Sequence, residues 1–269
     1  MRWFRLPMVW TYALLIIVPL LVVIDSSFKS LGELFQNPLL PPATFTAANY
    51  VTLATQVPLG LYFLNSVIVT GSSVIAVIVF GSMIAYAVLR LPRKLSYALY
   101  AVFTVGLMVP SQANLISVYV EMSDLHLVDT LYGLILVEVA FLLPVAVFIM
   151  GGFMRSMSPE IMEAAKVDGA NEWQMYYRIA LPLTTPAIAS TAIFGGVIVW
   201  NDLLFPLLLL KTNTNFTLPL ALLSFSGEYQ TNYPVIFAGV LLASIPVVVL
   251  YLFLQKYFIA GLTAGAVKG

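Results

Sequence analysis

Few residues of this chain could carry out chemistry, and they do not form a recognisable catalytic motif. The 269 residues include no cysteine, which excludes disulfides, thiolate metal sites and a cysteine nucleophile. The lone His126 lies beside Asp124 and Asp129, a grouping more typical of a solvated loop than of a metal site. Neither a Gly-x-x-x-x-Gly-Lys-Ser/Thr phosphate loop nor a Gly-x-Ser-x-Gly elbow occurs. We therefore expect no catalytic residue, no metal site and no cofactor in this chain.

Some polar residues lie inside apolar segments, where a charge is unfavourable and usually faces a helix bundle or a water path. Asn201 and Asp202 lie about halfway along one apolar stretch, where they either line a solute path or bond across helices. Glu138 lies in another stretch, and exposure at the membrane interface is the stronger reading there. Pro110, followed by Gln112, interrupts a third stretch and marks either a polar cavity or the end of a helix.

The longest polar stretch in the second half of the chain has a distinctive spacing. Glu163-Ala164-Ala165 is followed after three residues by Gly169, and after nine more by Ile179-Ala180-Leu181-Pro182. Local signals predict a helix–turn–helix here. Ser158 is a good N-cap and Pro159 fits the first position of a helix that ends near residue 167, while Gly169 can adopt the left-handed conformation that stops it.

A second helix is predicted directly after this turn. Asn171 can cap it with Gln174 as the reciprocal partner, and Pro182 ends it. The apolar side chains here are too numerous for a free loop and suit burial in the groove of a partner protein, although packing on the chain's own helices is the alternative. They are Met162, Trp173, Met175, Tyr176 and Tyr177.

The composition predicts a membrane protein. Hydrophobic residues make up 61% of the chain and charged residues 9%, against about 25% charged in an average soluble domain. The formal net charge is zero, so a lipid bilayer is an expected partner and nucleic acid is not. The prediction is an all-α integral membrane protein, with one domain over residues 1–269 and six transmembrane helices. These helices lie at roughly 6–24, 63–89, 95–119, 131–152, 187–209 and 235–257.

Basic residues predict the orientation of these spans. With the N-terminus in the cytoplasm, ten of the twelve Lys and Arg residues fall in cytoplasmic segments, leaving only Lys29 and Lys211 outside. Both termini are therefore expected in the cytoplasm, together with the loop of about 153–186 and the tail of about 258–269. The first stretch could be a secretory signal, but its length and the absence of a small-x-small cleavage site favour an uncleaved anchor.

The spacing of Glu163-Ala164-Ala165, Gly169 and Ile179-x-Leu181-Pro182 resembles the EAA coupling loop in the membrane subunits of ATP-binding-cassette (ABC) importers. The likeness extends over nearly the whole chain, and most closely to the smaller six-span subunit of maltose-type sugar importers. It implies the type I importer permease fold. Two more features carry it: Trp200-Asn201-Asp202, and the tail Gly261-Leu262-Thr263-Ala264-Gly265-Ala266-Val267-Lys268-Gly269. Three glycines within nine residues of this tail argue against an ordinary helix.

The resemblance also implies partners and a location in the bacterial or archaeal cytoplasmic (inner) membrane. A sister permease forms a pseudo-twofold pair with the chain, two cytoplasmic ATPase subunits bind ATP and Mg²⁺, and an extracellular or periplasmic protein delivers sugar. The resemblance implies that the sugar is held mainly by the larger sister subunit. It implies that the tail reaches the ATPase interface, through Gly261, Leu262, Thr263, Gly265 and Lys268. It implies as well that the loop rests in a cleft on the ATPase, with coupling residues Glu163, Ala164, Ala165, Asp168, Gly169, Ile179, Leu181 and Pro182.

Together these features predict the permease subunit of an ATP-driven importer of a sugar or oligosaccharide, without an ATPase site of its own. Importer permeases for amino acids, phosphate or polyamines share the loop, and the tail is what favours sugar. A secondary carrier driven by an ion gradient is a weaker alternative, because it predicts internal inverted repeats and the sequence shows none.

Overall fold

The computed structural model describes the backbone of residues 2–225 and 231–266, and the side chains of residues 7–223, 225, 231–253 and 255. The predicted all-α fold is confirmed for these residues. The α-helices are α1 (Arg2–Ser26), α2 (Leu31–Gln36), α3 (Ala48–Gln56), α4 (Leu59–Arg90), α5 (Arg93–Gly106), α6 (Leu115–Asp124), α7 (Leu131–Arg155), α8 (Pro159–Val167), α9 (Glu172–Met175), α10 (Leu181–Leu183), α11 (Thr185–Asn201), α12 (Leu204–Leu209), α13 (Leu218–Leu222) and α14 (Tyr233–Ala266).

Four helices of the described chain are long and apolar enough to cross a membrane. They are Pro7–Ser26 within α1, the whole of α4, the whole of α7, and Tyr233–Phe253 within α14. Two bent pairs raise the number to as many as six if each pair counts as one span. Arg93–Gly106 meets Ser111–Asp124 at 87°, and Glu172–Leu183 meets Thr185–Asn201 at 70°.

The spans predicted over 95–119 and 187–209 are each interrupted in the structure, the first at the predicted Pro110 and the second at a point that the sequence analysis did not predict. In the first, α5 ends at Gly106, and Pro110 has extended backbone with ψ 131° before a short 3₁₀ turn leads into α6. Proline has no N–H to donate and restricts the residue before it, which favours a helix end at this point. In the second, α11 ends at Asn201, and α12 begins only at Leu204.

The chain forms two compact units, one from residues 1–63 and 217–246 and the other from 64–216 and 247–269. In the second unit α7 is the central helix and packs against α5, α11 and α12. Small residues permit this close packing. A Cβ placed on Gly81 of α4 would lie 2.9 Å from the Cβ of Ala146, and one on Gly151 would lie 3.4 Å from the ring of Tyr100.

The first unit contains a small apolar cluster of Leu53, Leu222, Val235 and Ala238. It also contains a fully buried lysine, Lys29, whose relative exposure is 0%. The Lys29 ammonium lies 2.6 Å from the Asp25 carboxylate and donates to the carbonyls of Asn37 and Pro38 at 3.3 and 3.2 Å. The segment after α1 is thus folded around a satisfied charge.

The C-terminal tail differs from the sequence prediction. Three glycines were expected to prevent an ordinary helix, but α14 continues through Gly261, Leu262, Thr263 and Gly265 and ends at Ala266. The apolar run before the tail is already helical, and adding a residue to an existing helix requires no new nucleus. Lys268 lies outside the described residues, so its predicted role stays a prediction.

Candidate functional site: the polar loop and the broken spans

The polar loop of residues 153–186 has the local structure that the sequence predicts. Pro159 opens α8, and Ser158 holds the N-cap position without a side-chain hydrogen bond. At the other end Gly169 has φ +78°. The Gly169 N–H donates to Lys166 O at 3.0 Å, and the Ala170 N–H donates to Ala165 O at 2.9 Å. These two bonds form a Schellman motif, which explains why a glycine is needed here.

The predicted capping box is also present. The Asn171 side chain accepts from the Gln174 N–H, and the Gln174 side chain accepts from the Asn171 N–H, both at 2.9 Å. This reciprocal pair closes the first turn of α9. Both ends of the turn between α8 and α9 are therefore fixed by the loop's own residues.

The helix after the box is not regular. Residues Tyr176–Ala180 form a wider π-helical turn, and the chain then bends by 70° at Thr184. Thr184 is fully buried, and its hydroxyl donates to Ala180 O at 2.6 Å. Pro186 lies in the first turn of α11. Because π-turns often occur at functional sites, this turn makes the loop a candidate site independently of the motif.

The loop splits its apolar side chains between the chain's own interior and the surface. Met162, Met175 and Tyr176 are buried, so the prediction that they contact a partner is wrong. Trp173 and Tyr177 remain exposed. Among the motif residues, Ala165 is buried and Ile179 and Leu181 are half-buried. The exposed motif residues are Glu163, Ala164, Asp168, Gly169 and Pro182.

A polar connection to α4, which the sequence analysis missed, holds α9 in place. The Glu172 carboxylate accepts from Arg90 Nε at 2.9 Å and Nη2 at 2.5 Å, and from the Tyr86 hydroxyl at 2.8 Å. One turn further, the hydroxyls of Tyr176 and Ser82 lie 2.9 Å apart in a buried position. Glu172 and Arg90 are 82 residues apart in the chain, so no local signal could pair them.

Asp202 shapes the break between α11 and α12. Its carboxylate accepts from the N–H groups of Leu204 and Phe205, both at 3.1 Å, and so caps the start of α12. Asp202 lies within electrostatic reach of Glu138 on α7, but the buried Glu138 Oε1 has no hydrogen-bond partner among the described residues, so the predicted bond across helices stays a prediction. Glu138 is 3% exposed, so its predicted exposure at the membrane interface is wrong.

The other candidate path residues lie at the two breaks. Asn201 is exposed and donates from Nδ2 to Val197 O at 2.8 Å, so its side chain bonds within α11. Pro110 and Gln112 are both exposed at the 87° bend. The structure thus places these polar residues at interruptions of the apolar helices. No hydrogen bond described above joins Pro110 or Gln112 to Asn201 or Asp202.

A further polar cluster surrounds Asp129, which has a positive φ of 60°. Burial alone would raise the pKa of the Asp129 carboxyl, but it accepts hydrogen bonds from the Thr212 side chain and backbone, the Lys211 N–H and the Asn215 side chain. These bonds outweigh burial and lower the pKa to about 2. The nearby His126 is exposed, and within the described residues no three His, Asp or Glu side chains group as metal ligands do.

Comparison with known proteins identifies the family. Residues 77–263 match the family described as binding-protein-dependent transport system inner membrane component. The chain is 35% identical over 253 residues to the melibiose/raffinose/stachyose import permease protein MelC of Bacillus subtilis, which covers 94% of this chain and 91% of the relative. It is 35% identical over 263 residues to the arabinooligosaccharides transport system permease protein AraQ of Halalkalibacterium halodurans, covering 96% and 93%.

A solved structure shows the same fold. A chain of a bacterial ABC transporter involved in the import of the acidic polysaccharide alginate superposes with a TM-score of 0.79, at 24% identity and with 95% of each chain covered. The family match extends over well over half of the chain, from α4 into α14, and the relatives align along nearly all of it. The predicted identification as a carbohydrate-type ABC importer permease is confirmed, and the chain belongs to the family of binding-protein-dependent transport system inner membrane components.

Proposed function

We propose that this chain is the membrane-spanning permease subunit of an ATP-driven importer of a sugar or oligosaccharide. The two relatives described above are permeases named for oligosaccharides, and they align with this chain along nearly its whole length. The substrate class rests on these relatives and on the likeness of the tail. The chain contributes the membrane path and couples it to an ATPase made of other subunits, which bind ATP and Mg²⁺.

The observation that carries the coupling role is the exposed apolar surface of the polar loop. Val167 is 88% exposed and Trp173 is 62% exposed, on either side of the turn at Gly169. A Cβ added to Gly169 would meet no atom within 4 Å, so the turn itself projects into open space. Apolar side chains on a rigid projection suit a groove on another protein. We assign that groove to the cytoplasmic ATPase, with one copy on this chain and another on a sister permease.

The proposal includes a topology of six spans with both termini in the cytoplasm of a bacterial cell, in the inner membrane. It counts the bent pair α5 and α6 as one crossing and α11 as another, which together with the four long helices gives six crossings. The ten-to-two division of basic residues supports this orientation. The polar loop and the tail then lie on the ATPase side, and the Asp129 cluster lies on the side of the substrate-binding protein.

The solute path is proposed to pass the two breaks, at Pro110 with Gln112 and at Asn201 with Asp202. Irregular backbone at membrane depth is tolerated where it is buried in protein or lines a water-filled cavity. Both breaks have exposed polar side chains, in Gln112 and Asn201. The bonds that Asp202 accepts from the backbone of α12 make it a support of this path more than a contact for sugar.

The test is a charge placed on the exposed surface of the loop. Val167→Asp should abolish co-purification of the ATPase, because a carboxylate would enter an apolar groove, while insertion into the membrane stays normal. Leu39→Asp is the matched control, since Leu39 is 77% exposed and lies on the proposed outer side. ATPase retained at parental levels by Val167→Asp would refute the docking surface.

A further inference from the structure

The contacts between α9 and α4 form an ordered stripe. Ser82, Tyr86 and Arg90 follow each other at intervals of four residues on one face of α4, and they meet Glu172 and Tyr176, which are also four apart. Residues four apart lie on the same side of a helix. We call these five residues the α4 clamp. It continues beyond the hydroxyl pair as ring packing, with the Tyr86 and Tyr176 centroids 5.4 Å apart.

We propose that the α4 clamp is the connection by which movement of the polar loop is passed to α4. This inference rests on the proposed function, because it needs a loop that an ATPase moves. The loop leads directly into α11, so α11 would move with the loop in any case. The clamp adds a second route, into a helix of 32 residues whose side chains contact the loop.

The Arg90–Glu172 pair of the clamp fixes the orientation of α9 relative to α4 more than it stabilises the fold. The Arg90 and Glu172 side chains are 26% and 59% exposed, and such partly solvated pairs contribute little to stability. The paired bonds from Arg90 Nε and Nη2 to the two Glu172 oxygens nevertheless fix one relative direction of the planar groups. The Tyr86 hydroxyl adds a third bond to the same carboxylate, at 2.8 Å. A lysine at position 90 could supply the charge but not this geometry.

The end of the clamp at Ser82 and Tyr176 is buried, unlike the partly solvated ion pair. The Ser82 hydroxyl and the Tyr176 hydroxyl bond in a buried position, and Tyr176 begins the π-helical turn. Helix α9 therefore cannot move relative to α4 without breaking a buried hydrogen bond, which is unfavourable in a site that water does not reach. The clamp thus joins the π-helical turn of the loop to the 32-residue helix α4.

The experiment uses the assembled complex of the chain with its cognate subunits and two spin labels. The chain contains no cysteine, so Val67→Cys on α4 and Leu136→Cys on α7 are its only labelling sites. Both side chains are exposed, and Val67 lies in the half of α4 far from Arg90. The probe is Mg·ATP, and the measurement is the change in the distance between the labels when it binds. No knowledge of the transported sugar is needed.

The clamp predicts that Mg·ATP changes this distance in the parent and that Arg90→Glu abolishes most of the change while the ATPase stays bound. The reversed pair, Arg90→Glu with Glu172→Arg, should restore it. Tyr86→Phe removes only one hydroxyl and should give a partial loss, which keeps the test valid if a charge variant does not assemble. Lys94→Glu is the matched control, an equal charge change four residues from Arg90.

Transport by the same complexes gives a second reading. Arg90→Glu should lower the amount of sugar moved per ATP by about fivefold or more, the lower limit of typical coupling between sites. The inference is overturned if the parent distance does not respond to Mg·ATP, or if Arg90→Glu and Tyr86→Phe both respond as the parent does. Failure of the proposed function would look different, since the parent chain would then not retain an ATPase at all.

Discussion

Replacing Lys29 by methionine should open the segment that follows α1. The Lys29 ammonium is fully buried and uses its three donors on Asp25, Asn37 O and Pro38 O. Methionine fills a similar volume with no donor. The change therefore leaves a carboxylate and two carbonyls without their partner, and it creates little empty space.

The magnitude follows from these contacts. Removing one partner of a buried ion pair costs about 3–5 kcal/mol, mostly because the other charge is left unpaired. Asp25 keeps 25% exposure, so water can reach it and the lower end of that range applies. The two carbonyl bonds are long, at 3.3 and 3.2 Å, and add little beyond this. We expect a loss of about 3 kcal/mol in the local free energy of opening, a factor of roughly a hundred in the open population.

Hydrogen exchange of the solubilised chain measures this opening directly. Amides of residues 28–46, including the Asn37 N–H that bonds to Glu33 O at 2.8 Å, should exchange about a hundredfold faster in Lys29→Met. Peptides from α7 should exchange as in the parent. Lys211→Met is the matched control, because Lys211 is the other lysine of the proposed outer side and is exposed.

A double variant tests whether the unpaired Asp25 carboxylate causes the faster exchange expected in Lys29→Met. Asp25→Asn combined with Lys29→Met removes the carboxylate that the single change strands, so it should be less destabilised than Lys29→Met alone. The reasoning is refuted if Lys29→Met leaves exchange over residues 28–46 unchanged. It is refuted equally if the double variant shows the full sum of the two single effects, since the residues would then act independently.

Three further predictions concern other parts of the chain. Gly169→Asn should keep the Schellman turn, because asparagine tolerates positive φ, whereas Gly169→Val should strain it. Circular dichroism should show that both variants insert and fold. ATPase pull-down should show that only the valine variant loses the ATPase. The Asp129 pKa of about 2 lies below its unfolded value of about 3.9, so the stabilisation is complete above about pH 4 and is lost as the pH falls through about 2. Thermal melting of Asp129→Asn should therefore lie below the parent by a constant interval at neutral pH and converge with it near about pH 2, and a gap that persists in acid would contradict this sign. Deletion of residues 260–269 should leave insertion and pairing with the sister permease intact and reduce transport and sugar-stimulated ATP hydrolysis, as measured in vesicles; full transport by the truncated complex would make the tail dispensable.

The polar loop was predictable because its structure is decided within a few residues. Pro159 at the first helical position, Gly169 at positive φ and the reciprocal bonds of Asn171 and Gln174 are each set by local backbone chemistry. Asp202 belongs to the same class. An aspartate just upstream of a short apolar helix is an N-capping signal, and it could have revealed the break in the predicted span.

The contacts that were missed join distant parts of the chain. Glu172 finds Arg90 across 82 residues, and hydropathy along the chain contains no information about such a pair. Lys29 was read only as a charge on the outer side, whereas its surroundings come from residues 37 and 38, which fold back over it. The burial of Glu138 likewise depends on α11 and α12 packing against α7, which periodicity alone does not specify.

The self-contained closure of the polar loop has a consequence for chimeric transporters. Its turn is held by bonds among residues 164–174, so the loop should keep its shape when grafted into a related permease. The surface on which the loop packs, however, belongs to α4, at Ser82, Tyr86 and Arg90. A graft that brings the loop without a matching α4 would fold correctly and still point in an undefined direction. Compatibility between donor and recipient is therefore a property of two separate segments of sequence, which must be exchanged together.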